Sequence, residues 1–294
     1  MQRVICLIML VFSQSLSMAQ ASDPYVKEIS QWDSARVTYL TSDNGWLNLM
    51  GLLWLSEGKN SFGSDSSNQV IFPDKRMATH AGYFELANGV VTMVTQPKAG
   101  IKVNGKISNR AIIYHKDSSK LPVCSSGSLR WTIKRSDDKY GIRLRDLEHP
   151  AVKNFKGIER FPVDTTWKVK AYLDSRELRS GVAITNVLGQ TITHDSPGKL
   201  IFTISNKTYS LDAVWEGEEL YIIFGDETTG VTTYASGRYL YAKKPDANGY
   251  TILDFNKALN PPCAFTEFAT CPLPPRQNFL DIAITAGEKE YKIH

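Results

Sequence analysis

The sequence predicts a mainly β protein, with antiparallel β-sandwich or barrel units that follow one N-terminal helix. Short apolar segments recur at intervals of roughly 10 residues along most of the chain, which is the spacing of strands in sandwiches and barrels. Turn residues such as Asn88-Gly89, Asn104-Gly105 and Asp137-Asp138 bound these segments, as expected for tight connections. No helical pattern of useful length interrupts the series, and this favours antiparallel sheets.

The single predicted helix stands at the start of the mature chain. Asp23 is suited to its N-cap and Pro24 to its first helical position, which is a common arrangement at helix starts. Residues at helical spacing then continue for about four turns: Tyr25, Ile29, Trp32, Arg36, Val37 and Leu40.

The strands are predicted from apolar alternation and flanking turn residues. In the first half they are Val70–Phe72, Gly82–Leu86, Val90–Thr95, Ile101–Val103, Ala111–Tyr114, Leu129–Lys134 and Gly141–Arg145. In the second half they are Trp167–Leu173, Val182–Val187, Leu200–Ser205, Tyr209–Val214, Leu220–Phe224, Val231–Tyr234, Arg238–Tyr241, Tyr250–Asp254 and Leu280–Thr285.

Composition excludes several classes of protein. The chain has 294 residues, of which 42% are hydrophobic and 22% charged, so it can bury a core and is neither disordered nor a coiled coil. A net charge of +4 is too small and too evenly spread to predict a nucleic-acid partner. No apolar run reaches the ~18–20 residues of a membrane span, so no transmembrane segment is predicted.

The N-terminus has the pattern of a secretory signal peptide. Met1-Gln2-Arg3 supplies a positive charge, Val4–Phe12 is a short apolar stretch, and Ala19-Gln20-Ala21 fits a cleavage site. We therefore expect residues 1–21 to be removed and the protein to be periplasmic or extracellular.

The mature chain divides into two predicted units. Residues 22–146 form an N-terminal helix with a β unit, and residues 147–294 form a C-terminal β unit with a proline-rich loop. Leu147–Val163, which holds Pro150 and Pro162, is the predicted joint, unless the two units form one continuous domain.

Export would place three cysteines in an oxidising compartment. Cys263 and Cys271 lie eight residues apart in the proline-rich loop, and we predict a disulfide between them that contributes roughly 2–3 kcal/mol. Cys124 remains as a small buried apolar residue.

One strand carries a cationic side. Arg143 and Arg145 alternate with Ile142 and Leu144 in a strand that ends at Asp146, so both guanidinium groups lie on one face and the apolar residues on the other. If the cationic face is in solvent, the strand is simply amphipathic. If it lines a cleft, the arginines are suited to bind a carboxylate or a phosphate.

Two stretches resemble a known family. The first contains Gly45-Trp46-Leu47, Gly51-Leu52, Trp54-Leu55, Gly58, Phe62-Gly63 and Asn68. The second contains Phe224-Gly225-Asp226-Glu227-Thr228, Tyr234, Gly237-Arg238-Tyr239-Leu240, Leu253-Asp254-Phe255-Asn256, Asn260-Pro261-Pro262-Cys263, Cys271-Pro272-Leu273-Pro274-Pro275, Asn278 and Ala286-Gly287-Glu288. Together they resemble the bacterial family named domain of unknown function 1684, over nearly the whole mature chain. The resemblance implies no activity. Gly225 departs from it by replacing an aromatic residue, while Asp226 and Thr228 are in place.

A weaker resemblance covers residues 58–105. Gly63-Ser64, His80 and Asn104-Gly105 are spaced as in a forkhead-associated β-sandwich. Ser64 and Met77 stand where that family has its phosphate-binding arginine and serine, so the resemblance implies a sandwich shape and no phosphopeptide binding.

The second of the two stretches, from Phe224 to Glu288, is rich in polar residues, and we call it the C-terminal string. It has two interpretations. In the first, its amides hold an irregular loop by satisfying backbone groups. In the second, it forms a polar pocket at the hairpin of residues 226–238 and the loop of residues 254–278. The candidate catalytic residues are Asp226, Asp254 and Glu288, and the candidate ligand-binding residues are Arg143, Asp146, Thr228, Tyr234, Arg238, Asn256, Asn260 and Asn278.

Three functions follow from these residues. The leading hypothesis is an exported protein that binds a small polar molecule or saccharide in a pocket of the C-terminal β unit. The second is a hydrolase with paired carboxylates, in which Arg143 or Arg238 stabilises developing negative charge. The third is a structural or interaction module without a ligand.

No familiar catalytic motif is present. The sequence lacks G-x-S-x-G, H-E-x-x-H and G-x-G-x-x-G, and its five histidines are scattered. No metal site, no cofactor and no particular oligomeric state are predicted.

Overall fold

The computed structural model describes residues 23–73, 76–176 and 181–291. The predicted signal peptide, residues 1–21, lies outside the described residues. The protein is mainly β, with antiparallel sheets and one long N-terminal helix, which confirms the predicted fold class.

The helices are α1 (Pro24–Thr41) and the short α2 (Pro150–Asn154), with 3-10 turns at Pro97–Ala99, Thr165–Trp167, Phe255–Lys257, Pro262–Ala264 and Arg276–Asn278. The strands of the first half are β1 (Leu49–Trp54), β2 (Gly58–Gly63), β3 (Val70–Ile71), β4 (Gly82–Ala87), β5 (Val90–Thr95), β6 (Lys102–Val103), β7 (Lys106–Ile107), β8 (Arg110–Tyr114), β9 (Cys124–Ser126), β10 (Leu129–Ser136) and β11 (Lys139–Asp146). Those of the second half are β12 (Lys168–Asp174), β13 (Val182–Thr185), β14 (Thr191–His194), β15 (Gly198–Ile204), β16 (Lys207–Glu216), β17 (Glu219–Phe224), β18 (Arg238–Lys243) and β19 (Tyr250–Asp254).

Helix α1 begins where the sequence predicts. The Asp23 side chain accepts a hydrogen bond from the Tyr25 backbone N–H at 2.8 Å, and Pro24 occupies the first turn, where the missing N–H of proline has no cost. Across residues 23–73, 76–176 and 181–291, none of the helices combines the length and the hydropathy of a membrane span.

The first half folds as a β-sandwich. One sheet has the order β1-β11-β10-β9-β6-β7 and the other β3-β2-β4-β5-β8, and all pairs except β2 with β3 are antiparallel. Phe62 and Phe84 from one sheet meet Trp131, Ile142 and Leu144 from the other in one buried core. Apolar residues alternate along these strands because each sheet buries only one face.

The second half folds as a nearly closed barrel. Its sheet has the order β18-β17-β16-β15-β12-β19, and the two end strands lie close together. Leu211, Leu220, Ile222, Leu240 and Leu253 are fully buried inside it. Strands β13 and β14 form a separate hairpin. Strand β11 ends at Asp146. The division of the chain into two units between residues 146 and 147 stays a prediction.

Tight turns connect the hairpins as predicted. Asn88, Asp137, Ser205 and Asn206 have φ angles of 52°, 52°, 49° and 63°. These left-handed conformations match the twist of a two-residue hairpin and suit Asn, Asp and Gly best. Ser205-Asn206 is therefore the turn between β15 and β16.

Two predicted strands are wrong. Val231–Tyr234 forms turns in which Val231 N and Thr233 N bond to Thr228 O. Leu280–Thr285 alternates in burial, but its backbone bonds to Gly225, Glu227 and Asp226 at the barrel mouth and not to a neighbouring strand. The sequence does not predict β1, β2, β7, β9 or β14. Strand β1 is apolar without alternation, β2 and β14 are largely polar, and β7 and β9 are only two and three residues long.

Candidate functional site

Asp226 and Arg238 form a buried ion pair at the barrel mouth. Arg238 Nη2 lies 2.8 Å from Asp226 Oδ2, and both side chains are fully buried. Asp226 Oδ1 accepts bonds from the backbone N and the hydroxyl of Thr228 at 2.8 and 2.5 Å. Arg238 also donates to the carbonyl groups of Ile284 and Ala286. Burial lowers the pKa of Arg238, and the Asp226 charge opposes that effect. The pair holds the segment of residues 284–288 on the barrel.

Glu288 joins the end of the chain to helix α1. Its Oε1 accepts from Arg36 Nε at 3.0 Å and its Oε2 from the Asn260 backbone N–H at 2.6 Å. Arg36 Nη2 donates to the Asn260 carbonyl at 2.9 Å. The Glu288 side chain is fully buried, so both oxygens are occupied by structural partners.

Asp254 and Asn256 hold the start of α1. Tyr25 donates to Asp254 Oδ1 at 2.6 Å and accepts from Asn256 Nδ2 at 2.9 Å. Burial and the Asp254 carboxylate raise the pKa of Tyr25, which therefore stays protonated. Asp254 Oδ2 is buried without a hydrogen bond inside the protein, and the nearest cation, Lys257 Nζ, lies 3.7 Å away.

The other predicted residues also bind the protein itself. The Asn278 side chain bonds to the backbone of Asp212 and Ile223 at 2.7–2.9 Å. Tyr234 donates to the Cys263 carbonyl at 3.0 Å. Asp146 is paired with Arg76 and accepts from the Glu148 backbone N–H.

The structure therefore does not bring the predicted residues together at one opening. In the part of the chain that the structure describes, neither Asp226 nor Glu288 lines either of the two cavities described below, and Asp254 lines a different cavity from Arg143 and Asn260. Paired-carboxylate hydrolysis needs two carboxyl groups that converge on one substrate. The three candidate catalytic residues lack that arrangement, and the string holds the loop as the structural interpretation expects.

The best candidate site is a cavity of about 570 Å³ between the sandwich and the barrel. Its volume lies within the usual range for small-molecule sites. Arg143 and Asn260 are the two predicted residues that line it. The other lining side chains are Arg36, Tyr39, Trp46, Lys134, Glu216, Tyr221, Tyr239, Tyr241, Leu259, Pro262, Ala269, Thr270, Cys271 and Pro272. We call it the inter-sheet cavity.

The sandwich supplies the cationic side of the inter-sheet cavity. Ile142 and Leu144 are buried in the core, which confirms that Arg143 and Arg145 share the opposite face of β11. Arg145 donates to Gly45 O and to Asn48 Oδ1 and is therefore structural. Arg143 lines the cavity, as the cleft interpretation requires.

Arg143 and Lys134 are two cations without a counterion. Within the described residues neither has an ion pair, and Arg143 Nε is buried without a hydrogen-bond acceptor. Burial lowers the pKa of both groups, and the Arg143 charge lowers that of Lys134 further. A desolvated cation pair of this kind is stabilised by a bound anion.

The barrel supplies three tyrosines to the inter-sheet cavity, Tyr221, Tyr239 and Tyr241, which we call the tyrosine wall. Tyr221 and Tyr241 stack at 5.1 Å between ring centroids, and Tyr239 meets Tyr221 edge-on at 5.1 Å. Their neighbours Leu220 and Leu240 point into the barrel, so alternation places the rings outside. Burial raises the pKa of all three tyrosines, which therefore remain neutral.

Trp46 completes the aromatic lining. The guanidinium group of Arg143 lies 5.7 Å from its ring centroid, as does that of Arg145. A Cβ on the preceding Gly45 would lie 2.1 Å from the Leu40 carbonyl oxygen, so glycine is needed where the chain leaves α1. Trp46 belongs to the stretches that carry the family resemblance, but the sequence does not predict it as a site residue, nor does it predict Lys134 or the tyrosine wall.

Asn260 forms the base of the inter-sheet cavity. It is fully buried, and its Nδ2 donates to the Lys289 carbonyl at 2.7 Å. Its Oδ1 has no hydrogen-bond donor inside the protein. An unpaired buried acceptor is costly, and this one belongs to a side chain that lines the same cavity as Arg143, whose Nε is an unpaired donor.

The predicted disulfide is wrong. Cys263 and Cys271 are both free, and Cys271 Sγ accepts from the Cys263 backbone N–H at 3.0 Å. A hydrogen bond between the thiols lowers the pKa of Cys263 and raises that of Cys271. The loop is held instead by backbone bonds such as Val187 N to Cys271 O at 2.9 Å. Cys124 is buried, as predicted.

Gly225 accommodates a later aromatic residue. A Cβ at this position would lie 2.4 Å from the Phe279 ring. Phe279 therefore covers the place where the family resemblance leads us to expect an aromatic residue.

Among the residues described, no three His, Cys, Asp or Glu side chains are grouped so as to hold a metal ion.

The fold and the cavity define a β-sandwich joined to a barrel-like sheet, with a small-molecule-sized site between them. Residues 153–289 match the model of a family described as a protein of unknown function, domain of unknown function 1684. This part of the chain, a little under half of its length, is similar to that family.

Two solved structures are similar to parts of this chain. An uncharacterized protein of Haloarcula marismortui, solved by NMR, is 29% identical over 48% of this chain and 80% of its own, with a TM-score of 0.40. A structure from work on phosphothreonine-dependent FHA domain interactions is 17% identical over 31% of this chain and 79% of its own, with a TM-score of 0.23. At these scores neither likeness carries an inference about function. No curated protein matches the chain.

Proposed function

We propose that the protein binds a small sugar acid in the inter-sheet cavity. The observation that carries this proposal is a pair of buried, unpaired groups on one cavity: Arg143 Nε as a cationic donor and Asn260 Oδ1 as an acceptor. A carboxylate satisfies the first, and a hydroxyl group satisfies the second.

The tyrosine wall and Trp46 favour a sugar as the main part of the ligand. Tyr221, Tyr241 and Trp46 present ring faces and edges to the cavity, and such rings combine apolar area with rigid placement. Glu216 accepts a hydrogen bond from Tyr241 at 3.0 Å and offers a further acceptor for ligand hydroxyl groups.

The test is calorimetric titration of the protein with D-galacturonate and with D-galactose. We expect galacturonate to bind more tightly, because only its carboxylate pairs with Arg143. Arg143→Met should weaken galacturonate binding by about 10–100-fold, the value of a hydrogen bond to a charged group. Arg110→Met removes an exposed arginine from the other sheet of the sandwich and should change nothing. Equal affinities for the two sugars would exclude the anion site.

Affinity for galacturonate should fall as the pH rises. The pKa of Lys134 is lowered by burial and by Arg143, and a bound anion favours its protonated form. Binding is therefore strongest below that lowered pKa and weakens as the pH rises through it. The carboxylate is ionised throughout the range from about pH 6 to about pH 10, and the tyrosine wall stays neutral. Lys134→Arg should flatten the profile, because arginine keeps its charge; an unchanged profile would remove Lys134 from the site.

Export remains part of the proposal. It is supported by the charge, apolar stretch and small residues of positions 1–21. Expression of the full chain in a bacterium with a secretory pathway, followed by N-terminal sequencing of the purified protein, tests it. A mature terminus near residue 22 is the expected result, and retention of Met1 in the cytoplasm would contradict it.

A further inference from the structure

A second cavity, of about 660 Å³, lies beside the inter-sheet cavity along helix α1. Tyr241 and Leu259 line both cavities, so the two cavities adjoin at these side chains. Trp32 and Glu28 from α1 and Tyr250 from the barrel line the second cavity. We call it the helix-side cavity.

Helix α1 runs past both cavities with one face. Glu28 and Trp32 line the helix-side cavity, while Arg36 and Tyr39 line the inter-sheet cavity. Spacings of four, four and three residues place them on one stripe. The stripe covers 11 residue steps from Glu28 to Tyr39, which is about 16 Å of helix, and this is longer than one sugar ring.

The helix-side cavity has its own unpaired group. Asp254 is 6% exposed, lines this cavity, and its Oδ2 has no hydrogen-bond donor inside the protein. Lys257 Nζ at 3.7 Å is beyond hydrogen-bond distance. The free oxygen is therefore an acceptor suited to a ligand hydroxyl group, independent of Arg143 and Asn260.

The charge of the two cavities differs. The inter-sheet cavity holds the unpaired cations Arg143 and Lys134. In the helix-side cavity, four lysines face four carboxylates: Lys168, Lys243, Lys244 and Lys257 with Glu28, Glu219, Asp246 and Asp254. Balanced charge with Trp32 and Tyr250 rings suits further sugar units, whose hydroxyl groups both donate and accept hydrogen bonds.

We propose that the two cavities form one groove for an acidic oligosaccharide, with a uronate unit at Arg143 and further units along α1 to Asp254. This rests on the proposed function, since the uronate end occupies the same site. It adds that the natural ligand is a chain and that the helix-side cavity binds its neighbouring units.

The experiment compares D-galacturonate with tetragalacturonate by calorimetry on the whole protein. Tetragalacturonate should bind about tenfold more tightly or better, because its additional units contact the Trp32 and Tyr250 rings of the helix-side cavity. Tyr250→Ala and Asp254→Asn should remove most of this gain and leave galacturonate affinity unchanged. Arg143→Met should weaken both ligands. Tyr172→Ala removes a half-exposed ring that packs edge-on against Tyr250 but does not line the cavity, and it is the control for surface aromatics.

The outcomes separate the two proposals. If galacturonate binds but the tetramer gains nothing, or if Tyr250→Ala and Asp254→Asn leave its affinity unchanged in folded protein, the extended groove is wrong and the single-unit site stands. If neither ligand binds, both proposals fall. Because Asp254 also holds Tyr25, thermal unfolding of each variant accompanies the titrations, and Tyr250→Ala carries the test if Asp254→Asn does not fold.

Discussion

Arg238→Met is expected to destabilise the protein by about 3–5 kcal/mol, the cost of leaving a buried charge without its partner. Asp226 would keep its negative charge inside the barrel mouth, with only Thr228 and a backbone N–H as donors. The carbonyl groups of Ile284 and Ala286 would lose their donor as well. Urea denaturation at neutral pH measures the change in the free energy of unfolding.

An exposed ion pair is the matched control. Lys207 and Asp281 lie 2.5 Å apart, with both side chains more than half exposed, and Lys207→Met should leave the denaturation midpoint nearly unchanged. The double variant with Asp226→Leu and Arg238→Met should recover part of the loss, because no unpaired charge remains. If Arg238→Met costs no more than Lys207→Met, the pair is not a structural element of the barrel.

Glu288→Ala is expected to cost a similar amount, about 3–5 kcal/mol, and to loosen α1 in particular. The change removes the acceptor of Arg36 Nε and of the Asn260 backbone N–H. Glu288→Gln should cost less, because the amide oxygen can still accept from Asn260. Hydrogen exchange of α1 amides should accelerate more than that of the barrel strands, since local opening precedes global unfolding where few contacts remain.

Glu28 provides the comparison on the same helix. It pairs with Lys257 at 2.5 Å and is about half exposed, so Glu28→Ala should leave both the midpoint and the exchange of α1 nearly unchanged. Equal acceleration of α1 exchange in Glu28→Ala and Glu288→Ala would show that the buried carboxylate is not what holds the helix.

The parts of the fold that the sequence predicted depend on local rules. The Asp23-Pro24 cap, the Asn and Asp turns, and the alternation of Arg143 with Ile142 and Leu144 are each decided within a few residues. The prediction of a strand at Leu280–Thr285 is wrong for a related reason. Its alternation shows that one side of the segment is buried, but its backbone hydrogen bonds go to a loop and not to a strand. Periodicity shows which side is buried and not which backbone is next to it.

The site depends on pairings that local rules do not contain. Arg143 and Asn260 meet at one cavity although 117 residues separate them in the sequence. The polar residues of the C-terminal string predict a shared pocket because they are charged and recur along one part of the sequence. In the structure Asp226 pairs with Arg238 of the same string, and the other members bind residues of α1 or backbone groups. The sequence does contain a signal for the tyrosine wall. Alternation along β17 and β18 places Tyr221, Tyr239 and Tyr241 on the outward face, but tyrosine is also common in strands, so these residues predicted only strands.

The bond between Arg36 and Glu288 joins residues 252 positions apart. At a synthesis rate of about 5–20 residues per second, the helix would leave the ribosome roughly 10–50 seconds before its carboxylate partner exists. During that interval the Arg36 side chain lacks its buried carboxylate partner, so this contact of α1 forms late. Removal of Glu288 and the residues that follow it should therefore loosen α1, which is distant in sequence but adjacent in space.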